Sequence, residues 1–564
     1  QFHNLWKREL FGKENLKRLY SPVLLVEMLL FFGLFLVMTL FNYNEIFYKQ
    51  DYIWHMGNVN ILSSPGFEDY RVAGVTFKYH YFADLQIAIY KILFGYSARK
   101  LIYVSPAFVF PIIYAGTIEG MMEHFKDKCN PMIIRLLVFL TLTATSLCNG
   151  SRILFYSWGH SLTNVNGMSM AYPLMFLLLT FLYEWCEGDK DYTQYAWIAV
   201  CMTILTGVKG PVAIVLFVGT NIVLITEYIW KRSRNRDSLW LIVSNTLSFF
   251  VVYMSLLRFG SKDDNIYLQL DKFFELISKS SMFGQLYEWI SAVVPGFVAG
   301  ILLFLPHIIL CMGAVLFLVI VVLVLQFINK KTDMYSIWMF SIAFIGISGG
   351  YAVAHDGRSQ MYFMFAAVPS CVMFIIQNWH LIQEKLKHKR VVYSILATLL
   401  TLTVISMSLD VGNRCISASV QIENPGAADG FLTDKELEGL LWVNNHTPKD
   451  ALCATNRHFI GVEWRVNSSL YFYDSAYADR RFFIEGFYYA KNSGFDLDRG
   501  TKMYQKNHAM FEKRMKFKRK HKLAKRRKID YFIVHKKYSF QKKWKSPYFK
   551  KCFENEDILV LKVK

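Results

Sequence analysis

Cysteine is too scarce and too scattered in this sequence to organise a fold. The chain has nine cysteines in 564 residues, and none stand at metal-ligand spacing. Cys129, Cys148, Cys186, Cys201, Cys311 and Cys371 lie in or beside apolar runs. The odd count argues against a full disulfide framework, leaving open a bridge among Cys415, Cys453 and Cys552 in the tail. There is no internal repeat, which argues against the duplicated halves of many transporters. There is no low-complexity linker either. Residues 1–20 are basic and polar and contain no signal-peptide apolar core. The chain begins at Gln1, from which a missing or processed N-terminal piece is expected. Acid is in short supply: 43 Asp and Glu against 63 Lys and Arg give a net charge of +20. That excess points to anionic lipid or polymer as a partner. A nucleic-acid partner is not expected.

Apolar residues are abundant. They make up 54% of the chain, and aromatics 16%. Soluble proteins average about 45–50% apolar residues, and the excess here comes in blocks of about 20 residues, the length of a membrane-spanning helix. Eleven spans are expected, near 22–41, 101–122, 132–149, 168–186, 195–208, 210–229, 238–257, 307–328, 335–353, 361–381 and 392–409. Lys7, Arg8, Lys13, Lys17 and Arg18 set the N-terminus inside. The basic loops at 231–236, 330–331 and 385–390 then also fall inside. This parity requires that His80 to Tyr96 (HYFADLQIAIYKILFGY) lie in the outer interface as an amphipathic helix. Ser281 to Phe304 is expected to be interfacial or re-entrant. The fold class is therefore a polytopic α-helical membrane protein plus a C-terminal extracytoplasmic α/β domain. The expected boundaries are 1–410, with a first outer loop at 42–100, and 411–564. In the tail, TDKELEGLLWVNN reads as a helix capped by Thr433 with Glu436 three residues on. YFIVH at 531–535 and ILVLKV at 558–563 read as strands.

Four polar elements fall on the outer side. KQDYIWH carries Asp51 and His55 just after the first span. A carboxylate there can act as general base or orient an acceptor, or simply cap the next helix. TFKYHYFADL carries Lys78 and His80, cations suited to a lipid phosphate or to ordinary interfacial anchoring. LTGVKGPVAIVL places Lys209 between two apolar runs, where a lysine faces a cavity or partner, or snorkels. AHDGRSQMYFMFAAVP carries Arg358, a phosphate clamp or a partner for Asp356, and the Tyr362 hydroxyl. The segment 151–166 adds His160, Asn164 and Asn166 as donors for sugar hydroxyls.

The order of these elements resembles the GT-C superfamily of membrane glycosyltransferases. In pattern it is similar to the lipid A aminoarabinose transferases and protein O-mannosyltransferases. The resemblance covers roughly 20–410 and rests on an acid after span one, "ADLQIAIYKILFG", "KGPVAIVL" and "GRSQMYFMFAAVP". It implies a polyprenyl-phosphate sugar as donor and transfer to an extracytoplasmic acceptor, which can be a cell-wall polymer, a lipid or a protein. Asp51 matches the family's acid in the first loop and is the catalytic candidate. Lys78, His80, Lys209, Arg358 and Tyr362 are the donor-phosphate candidates; His55, His160 and Asn164 are those for the acceptor. Asp51 is followed by Tyr52 instead of a second acid, so no Asp-Glu or Asp-x-Asp pair supports a divalent metal. A lipid-linked sugar transporter and a noncatalytic accessory subunit are the rival expectations. The Lys, Phe and Tyr content suits an AT-rich bacterial genome, and the location expected is the cell membrane.

Overall fold

The computed structural model describes residues 22–41, 50–143, 167–230 except 189 and 191, 236–258, 266–268, 274–278, 283–355 except 331, and 361–386. It also describes scattered positions between 390 and 405, and 432–564 except 461–464, 540 and 542. The chain forms two compact units. The first comprises Gln1–Leu40, Val104–Tyr253 and Asn265–Cys415, and the second Phe41–Tyr103, Met254–Asp264 and Ile416–Lys564. The first outer loop thus shares a unit with the C-terminal residues, a grouping that a single cut near residue 410 does not express.

Among the described residues six helices are long and apolar enough to cross a membrane: Ala98–Phe125, Met168–Glu187, Gly210–Ile229, Arg236–Leu256, Cys311–Asn329 and Met334–Ala352. Each coincides with an expected span. Pro22–Phe41 and Tyr192–Val208 are also helical where spans are expected. Gly296–Ile309 and Tyr362–Gln377 are shorter apolar helices. The segment expected to be interfacial or re-entrant, Ser281 to Phe304, is divided between two helices. Only Phe283–Ser291 forms a separate short helix, while Gly296 opens a helical run to Asn329. No Asp, Glu, Lys or Arg interrupts residues 296–329, so the apolar run continues past 304. It breaks instead at Gly313, whose φ of 54° is a left-handed value that glycine adopts without penalty. Within this unit the helices Met334–Ala352 and Met361–Gln377 pack closely, because a Cβ on Gly346 would lie 2.6 Å from the Phe363 carbonyl oxygen. Small residues at a helix contact permit that approach. Arg135 donates to Glu27 and, at 2.9 Å, to Glu119, pairing charge inside an apolar bundle.

The second unit holds a five-stranded sheet. Its strands are β1 (Leu452–Thr455), β2 (Arg481–Phe482), β3 (Tyr531–His535), β4 (Phe549–Glu554) and β5 (Ile558–Val563), in the order β2-β1-β3-β5-β4. β1 runs parallel to both neighbours; β3–β5 and β5–β4 are antiparallel. Every residue of β3 is buried, as expected of a strand covered on both faces. Its helices are α1 (Gln50–Leu62), α2 (Phe82–Phe94), α3 (Asp434–His446), α4 (Tyr473–Ala478), α5 (Leu497–Phe511) and α6 (Phe517–Arg526). α3 begins with the capping box read from sequence, Thr433 and Glu436 bonding reciprocally. α3 also meets β5 through Gly439, where a Cβ would lie 2.1 Å from Ile558 Cγ2.

The first loop is built into this domain. Val72 and Val75 belong to its apolar core. Val72 bridges Ile484, Phe482 donates its N–H to the Tyr70 carbonyl at 2.6 Å, and Glu485 donates to Arg71 at 2.8 Å. Glu68 pairs with Arg481 at 2.7 Å and accepts the Gly74 N–H at 2.8 Å. The contacts with 482–485 and Arg481 join residues about four hundred positions apart, a distance over which local sequence carries no signal. α2 is amphipathic as expected: Asp84, Ile87 and Ala88 are buried, and Ile89, Ile92, Leu93 and Phe94 are exposed.

Candidate functional site

α1 presents Trp54, His55 and Asn58 at three- and four-residue intervals, hence along one side of the helix. His55 Nδ1 lies 2.8 Å from the Asp84 carboxylate at the first turn of α2. Asn58 donates to the other Asp84 oxygen at 2.9 Å and accepts from Arg71 Nη1 at 3.1 Å. Arg71 then grips Asp69 with two bonds, Nε at 2.7 Å and Nη2 at 3.1 Å. The Arg71 guanidinium sits 3.3 Å from the centre of the Trp54 ring. All six side chains are buried, so the run Asp69–Arg71–Asn58–Asp84–His55 is a rigid polar chain in an aromatic setting. A carboxylate at Nδ1 fixes the orientation of the imidazole, which is how second partners prepare histidine for chemistry. In the same pair of helices, Lys91 donates to Asn60 at 2.7 Å and to Asp479 at 3.0 Å. Burial lowers the Lys91 pKa below the ordinary lysine value against the pull of Asp479.

The candidate residues read from the sequence have these positions. Asp51 stands in the first turn of α1, four residues before His55, and its side chain lies outside the described residues. Lys78 is half-buried; its N–H donates to Ser493 Oγ at 3.0 Å. The His80 ring lies 3.9 Å from that of Tyr79. In the first unit Lys209 is buried at the junction of Tyr192–Val208 and Gly210–Trp230. Its Nζ sits 3.5 Å from the centre of the Tyr362 ring, so the structure brings these two candidates together. Arg358, His160 and Asn164 lie outside the described residues, as do Asp356 and Asn166. Among the described residues no group of three or more His, Cys, Asp and Glu could hold a metal. Cys453 and Cys552 are free thiols, so a tail bridge does not join them; Cys415 lies outside the described residues.

Sequence reading did not assign Asp84, Asn58, Arg71 or Asp69 to the site. A signal was present for Asp84: an acid in the first turn of a largely apolar helix, FADLQIAIYKILF, needs a partner once that helix is packed. The partnership of Asn58 with Arg71 had no such signal.

A second polar cluster lies at the C-terminal end of β1 and β3. His535 Nδ1 meets Glu436 at 2.7 Å, and Nε2 meets Asp474 at 3.0 Å. Thr455 and Tyr471 donate to Asp474 at 2.6 and 3.0 Å, and Arg457 donates to Glu436 at 2.9 Å. Burial alone would lower the His535 pKa, but Asp474 and Glu436 carry it to about 9. Burial likewise opposes the Glu436 charge, yet His535 and Arg457 hold its carboxyl at about 2. Burial, then the Asp474 charge, push the Glu485 carboxyl well above the usual range. Nearby His458 has neutral partners. It faces the Glu485 carbonyl at 3.3 Å and the Asn507 amide at 3.1 Å, and burial lowers its pKa to about 4.

No protein-family model and no curated protein matches the chain. Among solved structures it is similar to the archaeal oligosaccharyltransferase AglB from Archaeoglobus fulgidus, in complex with an inhibitory peptide and a dolichol-phosphate. That likeness has a TM-score of 0.45 and 10% identity, over 92% of this chain and 70% of that one. It is also similar to the Archaeoglobus fulgidus oligosaccharyltransferase in the apo form, with a TM-score of 0.46 and 12% identity over 91% and 70%. A form tethered to an acceptor peptide with the NVT sequon gives 0.47 and 10% over 94% and 69%.

Proposed function

We propose that this chain is a membrane glycosyltransferase that moves a sugar from a polyprenyl-phosphate-linked donor to an extracytoplasmic acceptor. The observation that carries the reading is the buried pair that His55, on the helix that bears Asp51, makes with Asp84 of α2, in the loop after the first apolar helix. A helix whose side chains are this firmly held is a platform for chemistry, since catalytic groups need a locked supporting shell. Asp51 accepts the proton of the acceptor nucleophile. The acceptor oxygen bonds to the anomeric carbon as the bond from that carbon to phosphate breaks, and the electron pair leaves with polyprenyl phosphate. Lys78 and His80 offset the charge growing on that phosphate. A phosphate leaving group needs little protonation, so a second carboxylic acid of the kind paired in glycosidases is not required. His55 holds the acceptor, and Asp84 positions His55.

The test is transfer of labelled sugar from a panel of polyprenyl-phosphate sugars by the detergent-purified chain and by Asp51→Asn, with candidate acceptors and with water alone. Release of polyprenyl phosphate by the wild type and its loss in Asp51→Asn is the expected result. Donor binding without turnover in either protein, across the whole panel, would replace this reading with a transporter or accessory role.

A further inference from the structure

Separate from the transfer site, the second unit has a groove of about 350 Å3 lined by Arg499, Lys502, Lys506, Arg527 and Asp496 over Phe483 and Met503. Arg499, Lys502 and Lys506 succeed one another at three- and four-residue intervals and so share one face of α5. Arg527 comes from the residue after α6, its guanidinium 5.5 Å from the centre of the Phe483 ring. The one carboxylate lining the groove among the described residues, Asp496, is already used: it caps α5 by accepting the Asp498 N–H at 2.9 Å. The groove is therefore a concentrated positive field over an apolar floor. Its Arg527 belongs to the run Lys513–Lys528, which has eleven Lys and Arg and no acid.

We propose that this groove binds phosphate groups of a phosphodiester-linked polymer, with the basic run of α6 extending the track. Resting on the transferase reading, this polymer is the acceptor. Two guanidiniums and two ammoniums around one concavity match the several oxygens of a tetrahedral phosphate better than the two of a carboxylate. An isolated phosphate would have no use for the long basic run. A lipid surface would be held more firmly with exposed apolar anchors beside the cations. No large apolar side chain from Leu497 to Lys564 is exposed among the described residues.

The experiment measures binding of long-chain polyphosphate to the full-length chain in detergent, without donor. Its arms are inorganic phosphate, polyglutamate of matched charge, and vesicles of anionic phospholipid. Lys502→Gln/Lys506→Gln is compared with Lys518→Gln/Lys522→Gln, which removes the same charge from α6. The groove pair is expected to weaken polyphosphate binding about tenfold or more, since charge-assisted bonds are lost there, and the α6 pair by about threefold at most. Equal losses in the two pairs, equal affinity for polyglutamate, or tighter binding of vesicles would overturn the proposal. Because the assay contains no donor, polymer binding by a chain that turns over no donor would sink the transferase reading and leave the groove standing.

Discussion

Two buried histidines of the second unit each have a carboxylate at Nδ1. His55, on α1, has Asp84 at Nδ1. His535, at the end of β3, has Glu436 at one ring nitrogen and Asp474 at the other. A carboxylate at one nitrogen fixes how an imidazole points. Carboxylates at both fix its charge, because both nitrogens must then carry protons to donate. His535 is accordingly held as an imidazolium, with a pKa carried to about 9, and has no lone pair to offer a substrate. Its work is to tie β3 to α3 and α4. His458 completes the series: with a carbonyl and an amide as partners, and burial against it, it is neutral, with a pKa of about 4. Burial and a carboxylate neighbour alone thus do not mark a functional histidine. What sets His55 apart, under the proposed function, is its place on α1, one turn beyond Asp51.

The largest expected effect separates the two places by activity. Asp51→Asn should lower donor turnover by about 10²–10⁴-fold, the range of a lost general base. His535→Leu should leave turnover per folded molecule near the wild-type level. A large activity loss in His535→Leu at equal folded fraction would erase the distinction.

Stability should show the reverse. Asp474→Asn removes one partner of a buried ion pair, which typically costs about 3–5 kcal/mol. Thermal unfolding of the purified chain should register a clear drop in midpoint.

The pH dependence sharpens the contrast within the domain. The folded-state pKa of His535 is raised from 6.5 to about 9, so its contribution is complete below pH 6.5 and is lost as pH rises through 9. The folded-state pKa of His458 is lowered from 6.5 to about 4, so stability is lost as pH falls from 6.5 through 4. Glu436, held at about 2, adds to the acid limb, its share being lost as pH falls from 4.5 through 2. Each histidine shift is worth on the order of 3 kcal/mol. The two histidine contributions are therefore jointly largest near pH 6.5, and His535→Leu should flatten the alkaline limb and, by freeing the Glu436 carboxyl, weaken that residue's share of the acid one. Unfolding midpoints measured from acid to alkaline pH report both limbs.

The smallest effect belongs to the surface. Glu554 pairs with Lys536 and Lys551 at 2.9 and 2.8 Å, mostly in solvent. Glu554→Gln should change stability by less than about 1 kcal/mol.

Features set by local pattern were legible in the sequence. Hydropathy located the apolar helices, Thr433 and Glu436 marked the start of α3, and the runs YFIVH and ILVLKV became β3 and β5. The Lys209 motif marked the junction of two apolar helices, and its aromatic partner, Tyr362, was itself a candidate. What escaped was set by distance along the chain. Residues 68–76 join the C-terminal domain through Val72–Ile484 and Glu68–Arg481, pairs that no local periodicity announces. Asp84 was visible as an ionisable residue of the first loop, but its link to His55 spans 29 positions and two helices. Within 296–329 the backbone leaves helical geometry at Gly313, a position that the apolar run itself does not announce.

The most direct test is single-turnover release of polyprenyl phosphate by wild type, Asp84→Asn and Asp474→Asn at matched folded fraction. Freeing His55 from its carboxylate should misplace the acceptor and lower the rate by about 10²-fold. Asp474→Asn should release at the wild-type rate. Full activity in Asp84→Asn, or equal losses in the two variants, would contradict the assignment of the first loop as the reacting site.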